Sequence, residues 1–255
     1  MILMFGDVHS DFSHVLPVVQ AEKPAAIIFL SDIQAQRPLE QELAKVMDIT
    51  EVYFIPGNHD TDSKADYENL FGSALADKNL HGRIVEIDGL RVAGLGGFFR
   101  ESVWYPQASA EIEPIYPDYE TYTRIMLDAE HWKLYRQMSK EGNQPERLPA
   151  PPFVGKALLH KSTIFWNDWM QLYGQQADIL VTHEAPTCHP HGFRGIDVLA
   201  QSMKVKFTFH GHHHDRFNYA AYEEALGFSA HGVGLRSVSD MYGGMMLIGN
   251  IGEKK

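Results

Sequence analysis

The chain has 255 residues, 44% of them hydrophobic, a composition that suits one large globular core. Its formal net charge of −11 disfavours nonspecific binding to long nucleic acid, itself a polyanion. The one cysteine, Cys188, excludes an intramolecular disulfide and a thiolate metal cluster, and suits a reducing, cytoplasmic setting.

The opening MILMFG is apolar but short, lacks a basic stretch before it and runs straight into Asp7, so it is not expected to be a signal peptide. No apolar run reaches the roughly 18 residues a membrane span needs. Five short apolar runs read as buried strands: residues 2–5, 25–30, 52–55, 178–182 and 205–209. Between the first three lie two stretches with helical spacing. One covers 13–22, with Val15, Val18 and Val19 on a stripe. The other covers 38–48, with Leu39, Leu43 and Val46 or Met47 inward and Pro38 suited to a first turn. This β-α-β-α-β order predicts parallel strands joined by right-handed crossovers.

The pattern then changes. Residues 83–87 and 90–96 flank Asp88-Gly89, a hairpin signal, and the chain from Phe217 onward reads as short strands with glycine-rich turns. Residues 100–175 are rich in proline and aromatics and read as a helical insertion. Asp118 is expected to cap a helix bearing Tyr119, Tyr122, Met126, Ala129 and Trp132, with Gly142 as its stop, and a second helix is expected over 162–174. The expected fold class is α/β (α+β): a four-layer sandwich of two mixed β-sheets flanked by helices. No linker or repeat divides it, so residues 1–255 read as a single domain, and no feature sets an oligomeric state.

The residues at the strand ends carry the chemistry. Residues 2–5 lead to Asp7 and His9, the second run to Asp32, the third to Asn58, His59 and Asp60, the fourth to His183, and the fifth to His212, His213 and His214. One such residue means little, because a strand-end Asp usually forms a turn or caps a helix. Five strands ending this way would gather oxygen and imidazole ligands in the crevice at their carboxyl ends. Asp, Asn and His without Cys suit Mn, Fe or Zn. The candidates outnumber the ligands of one ion. Two ions sharing a carboxylate account for the surplus, an arrangement used for phosphoryl chemistry.

Asp7-Val8-His9, Ser31-Asp32, Gly57-Asn58-His59-Asp60, His183 and Gly211-His212-His213-His214 resemble the five ordered motifs of the calcineurin-like metallophosphoesterases, in order and approximate spacing over nearly the whole chain. The resemblance implies a β-sandwich flanked by helices and two divalent metal ions. It assigns Asp7, His9, Asp32 and His214 to the first ion and Asp32, Asn58, His183 and His212 to the second. It also implies hydrolysis of a phosphate ester by a metal-bridging hydroxide. His59 would serve as general acid and phosphate contact, and Asp60 would orient its ring. Ser31 stands where glycine is usual, and Ser10 follows His9 where glycine is frequent; neither supplies a ligand in the family.

His213 falls in the variable position of the last motif and His210 precedes it, so both are expected to be packed histidines. Asp11 is expected to cap the first helix. His189 and His191 are candidates for the rim of the site, and Arg37, Arg100 and Arg194 for gripping a second phosphate. The glycines of 94–97 read as a close-packed strand end. The expected substrate is a small phosphorylated molecule or a phosphoprotein, monoester or diester. A non-catalytic metal-binding scaffold of the same fold is the alternative, disfavoured because every ligand and His59 are retained.

Overall fold

A computed structural model describes residues 1–140, 155–215 and 217–249. It contains two mixed five-stranded sheets. The first has the order β10-β9-β1-β2-β3, built from β1 (Ile2–Phe5), β2 (Ala26–Phe29), β3 (Glu51–Phe54), β9 (Val238–Asp240) and β10 (Met245–Leu247). The second has the order β4-β5-β6-β7-β8, from β4 (Arg83–Ile87), β5 (Leu90–Leu95), β6 (Ile179–Thr182), β7 (Phe207–His210) and β8 (Ser229–Gly232). Strands β1, β2 and β3 are parallel, as are β5 to β8. The β9 and β10 pairings and the β4–β5 hairpin are antiparallel.

The two-residue period of the strands sorts their side chains into layers. Ile2, Met4, Ile28 and Ile55 face Val92, Ile179, Val181 and Phe209 and form the core between the sheets. The alternate residues Leu3, Phe5, Ile27, Phe29 and Phe54 face outward onto Val15, Val19, Leu39, Val46 and Leu70. On the far side Leu95 and Leu180 are covered by Trp104, Tyr122, Ile164, Trp169 and Leu199. Residues from 100–175 therefore furnish much of the fourth layer. All of these side chains are buried. No helix among the described residues is long and apolar enough to cross a membrane.

Local structure departs from the sequence expectation in three places. The 38–48 stripe forms two short helices, Leu39–Glu42 and Ala44–Met47, interrupted where Leu43 leaves helical geometry at φ −106° and ψ 13°. Leu39, Leu43 and Val46 still point inward, so packing follows the stripe although the hydrogen-bond ladder breaks. The second insertion helix starts at Trp166, because the chain before it pairs with the 98 loop: Phe98 N donates to Ser162 O at 2.8 Å and Ile164 N to Phe98 O at 3.1 Å. Asp11 accepts from Ser13 N at 3.1 Å in a turn that precedes the first helix, Val15–Glu22, and pairs with Arg236. The helix Tyr119–Lys140 begins after Asp118, which accepts from Thr121 N at 2.7 Å; its expected stop, Gly142, lies outside the described residues.

Candidate metal centre

The loops after β1, β2, β3, β6 and β7 meet at one edge of the sandwich. One oxygen or nitrogen from each of Asp7, His9, Asp32 and His214 lies within 4.8 Å of the others, and the same holds for Asp32, His183 and His212. Asp32 is common to both groups. Asn58 joins the second, its Oδ1 lying 2.8 Å from His183 Nε2. The seven ligand-type residues from five strand ends are thus brought together.

Close packing makes room for the carboxylates. A Cβ on Gly57 would sit 2.1 Å from Asp32 Oδ1, and one on Gly211 would sit 2.4 Å from Asp7 Oδ1. Among the described residues, seven of the eleven non-glycine positions with positive φ lie here: His9, Ser10, Ser31, Asp32, Gln34, His212 and His214. Each such position costs about 1–3 kcal/mol, and strain of this kind gathers where geometry serves a site.

Asp7 and Asp32 are both buried. Burial opposes ionisation of Asp7, but His214 and the fields of His183 and His9 hold its pKa below the ordinary value. Burial and the Asp7 charge push Asp32 up to about 6. Burial pulls His183 down to about 4 and His212 to about 3, so both imidazoles are neutral, the form that binds metal.

Two ring orientations are fixed from behind. His9 Nδ1 lies 2.6 Å from Gln34 Oε1, an acceptor, so Nδ1 carries the proton and Nε2 faces the centre. Ser31 Oγ donates to Asp7 Oδ1 at 3.0 Å and also meets His183 Nδ1. Its one proton goes to the ionised Asp7, so His183 Nδ1 must carry its own proton and donate to Ser31. His183 Nε2 then presents a lone pair to Asn58 Oδ1, another acceptor. Two facing acceptors suit a shared cation, and histidines anchored through the second nitrogen are the habit of metal ligands. The donor set of carboxylates, imidazoles and one amide oxygen fits two divalent ions.

His59 follows Asn58 on a 3₁₀ turn, His59–Thr61. Its side chain is 45% exposed and its Nδ1 lies 2.6 Å from Asp62 Oδ2. Burial works against protonation, but the Asp62 hydrogen bond and the Asp32 and Asp62 charges outweigh it and raise the His59 pKa. The expectation that Asp60 steers this ring is corrected. Asp60 is buried and accepts from Gln34 N at 2.7 Å and Gly57 N at 2.8 Å, so it ties the β2 and β3 loops together. In a 3₁₀ turn residues i and i+3 eclipse, which puts Asp62 beside His59. Nor does Asp60 cap the next helix, Lys64–Phe71, where Ser63 accepts from Asp66 N.

The remaining candidates belong to neither ligand group. His213 stacks on His189 at 3.7 Å, and His189 pairs with Asp215 at 3.1 Å. The His191 backbone donates to His189 Nδ1, and His210 is buried beside Tyr219. Arg37 and Arg194 pair with Glu42 and Asp197. Gly94 and Gly96 are hemmed in by Leu80 and Pro56, as a packed strand end requires. Sequence reading missed Gln34, Asp62 and the role of Ser31. Only their spacing, two residues after Asp32, three after His59 and one before Asp32, offered a signal.

A family model for calcineurin-like phosphoesterases matches residues 1–216. An uncharacterized protein of Haemophilus influenzae is 35% identical over 247 residues, covering 97% of this chain and 96% of the relative. Among solved structures, a dimetal phosphatase from Danio rerio matches at 12% identity and a TM-score of 0.43, with 93% of this chain and 92% of that one covered. The Haemophilus influenzae NAD nucleotidase matches at 14% identity and a TM-score of 0.40; 97% of this chain is covered, and the chain spans about half, 48%, of the nucleotidase.

Proposed function

The chain belongs to the calcineurin-like phosphoesterase family of metal-dependent enzymes, and from that premise we propose that it hydrolyses a small phosphate ester with two divalent ions. The observation that carries the reading is the convergence of seven ligand-type side chains in two groups with Asp32 common to both. Asp7, His9, Asp32 and His214 would hold one ion; Asp32, Asn58, His183 and His212 would hold the other. Donors of nitrogen and oxygen without sulfur favour Mn, Fe or Zn. When bound, the ions make water a nucleophile at neutral pH and neutralise charge on the phosphoryl oxygens.

The chain's own groups supply the rest. The Asp62 contact occupies His59 Nδ1 and leaves Nε2 to give a proton to the departing oxygen, with the Asp62 carboxylate supporting the protonated ring. Ser31 and Gln34 hold His183 and His9 in the tautomer that leaves Nε2 open. The net charge of −11 favours a small substrate over a nucleic acid, and the single cysteine favours the cytoplasm. We read residues 1–255 as one domain, with 100–175 shaping substrate choice. A non-catalytic scaffold is disfavoured because His59 and every ligand are present.

The test is a panel of alkyl, aryl and nucleotide mono- and diesters assayed with manganese, iron and zinc. Hydrolysis that a chelator abolishes and added metal restores is expected. A protein that binds metal yet cleaves none of the panel overturns the reading.

A further inference from the structure

Beside the metal centre lies a cleft of about 650 Å³, lined by Phe98, Arg100, Tyr105, Tyr116, Met126 and His160 among others. Two links join it to the chemistry. The Phe98 ring packs edge-on against the His212 imidazole, centroids 5.2 Å apart. On the other side, His160 belongs to the turn His160–Ser162, which packs on the turn carrying His59 through a 2.7 Å hydrogen bond between Thr61 and Ser162 hydroxyls. The cleft thus adjoins the elements that carry His59 and His212.

The walls indicate what the space would take. Tyr105 and Tyr116 are fixed edge-on against Phe193 and Tyr122, with centroids 5.1 and 5.2 Å apart, so their rings are presented without loss of side-chain freedom. Arg100 is half-buried. Its Nε donates to Thr163 Oγ1 at 2.9 Å and its guanidinium lies over the Phe98 ring at 5.4 Å. Among the described residues no carboxylate stands within ion-pair distance of it, and its two terminal nitrogens have no hydrogen-bond partner. Asp62 and Glu184 act on it only from farther away. In so acidic a chain, a half-buried guanidinium without a close counter-ion is ready for an anion. His160 does not compete, since burial pulls it down to about 4 and leaves it neutral. Exposed Glu101 and Lys156 also line it.

We propose that this cleft is the leaving-group subsite, that it takes an aromatic alcohol bearing a second anionic group, and that Arg100 is the specificity residue that binds that group. The proposal rests on the phosphoesterase reading for its catalytic sense, but the binding it describes can be measured without turnover.

Two aryl esters differing in one charge, phenyl phosphate and 4-carboxyphenyl phosphate, are compared with ethyl phosphate using manganese-loaded protein. The wild type is expected to have the lowest KM for the carboxylated ester. Arg100→Gln should raise that KM roughly 10- to 100-fold, the range of a lost charged hydrogen bond, while phenyl phosphate changes by less than about threefold and kcat holds. Arg100→Lys should recover part of the loss. In calorimetry on metal-free protein, 4-hydroxybenzoate should bind the wild type and not Arg100→Gln. Tyr105→Ala should raise KM for both aryl esters and spare ethyl phosphate. An equal KM rise for both aryl esters would mean that Arg100 grips the scissile phosphate, which overturns the proposal. Failure of 4-hydroxybenzoate to bind overturns it as well. If no ester is cleaved but 4-hydroxybenzoate binds through Arg100, the subsite stands and the catalytic reading falls.

Discussion

The Ser31 hydroxyl stands between the Asp7 carboxylate and the His183 imidazole, donating to Asp7 Oδ1 at 3.0 Å and meeting His183 Nδ1. One side chain thus links a residue of the first ligand group to a residue of the second. It does so from a left-handed backbone, φ +106°, that glycine adopts far more readily. Holding a serine there is costly, and the hydroxyl is what it provides.

Ser31→Ala and Ser31→Gly should therefore separate two effects. Both remove the hydroxyl, and both should weaken metal binding about 10- to 100-fold, as loss of a ligand's supporting hydrogen bond does. Only the glycine relieves the backbone. In metal-free protein Ser31→Gly should melt above Ser31→Ala. Calorimetric titration with manganese, paired with thermal melts, reads both; unchanged affinity in both variants would reduce Ser31 to a packing residue.

His59 and its neighbours give a second prediction. His59→Gln should lower kcat by about 10²–10⁴ for an alkyl phosphate, whose alkoxide leaves poorly without a proton, and by much less for a nitrophenyl phosphate. Asp62→Asn should show the same leaving-group bias in milder form and melt normally, since Asp62 is exposed. Asp60→Asn should instead lower the melting temperature, because buried Asp60 accepts two backbone N–H groups from separate loops. Kinetics with both esters and metal content checked in each variant decide it. An equal loss for the two esters would make His59 a phosphate contact, not an acid.

The grouping of the strand-end Asp, Asn and His side chains was legible because it follows from strand topology. Parallel strands of one sheet share a carboxyl edge, which groups Asp7, Asp32 and Asn58 on the first sheet and His183 and His212 on the second. The Asp88-Gly89 hairpin was legible for a similar reason, since local turn chemistry decides it. The partner of His59 was not. Adjacency suggested Asp60, but the 3₁₀ turn sends Asp60 inward and brings Asp62 to the ring. The late start of the second insertion helix depends on the 98 loop pairing with Thr163, a contact between residues 65 apart that no local pattern announces. Arg100 and its cleft are of the same kind, assembled from segments distant in sequence.

A pH-dependent contribution to stability is expected from His81. Its Nε2 lies 3.5 Å from Asp168 Oδ2, joining the turn before β4 to the helix Trp166–Leu172. Burial alone would lower its pKa, but the charge of the neighbouring Asp168 carboxylate outweighs it and raises the pKa above the ordinary value. The folded chain holds this proton more tightly than the unfolded one. The stabilisation is full below pH 6.5 and disappears as pH rises through the folded-state pKa. Between pH 6 and 9 the metal-free wild type should lose about 2–4 °C more in melting temperature than His81→Gln, the scale of one such pair in a chain this long. Parallel melting curves for the two proteins would show the pair to be inert.

The proposed two-ion centre, with Asp32 common to both groups, is tested most directly by counting ions. Metal-free protein is titrated with manganese in a calorimeter, and the saturated protein, freed of excess, is measured by elemental analysis. Wild type should reach two ions per chain. His212→Ala should retain one, and Asp32→Asn should bind both poorly because it removes the residue the two groups share. Saturation of the wild type at one ion, or an Asp32→Asn protein that still takes up two with wild-type affinity, would contradict a centre built around Asp32.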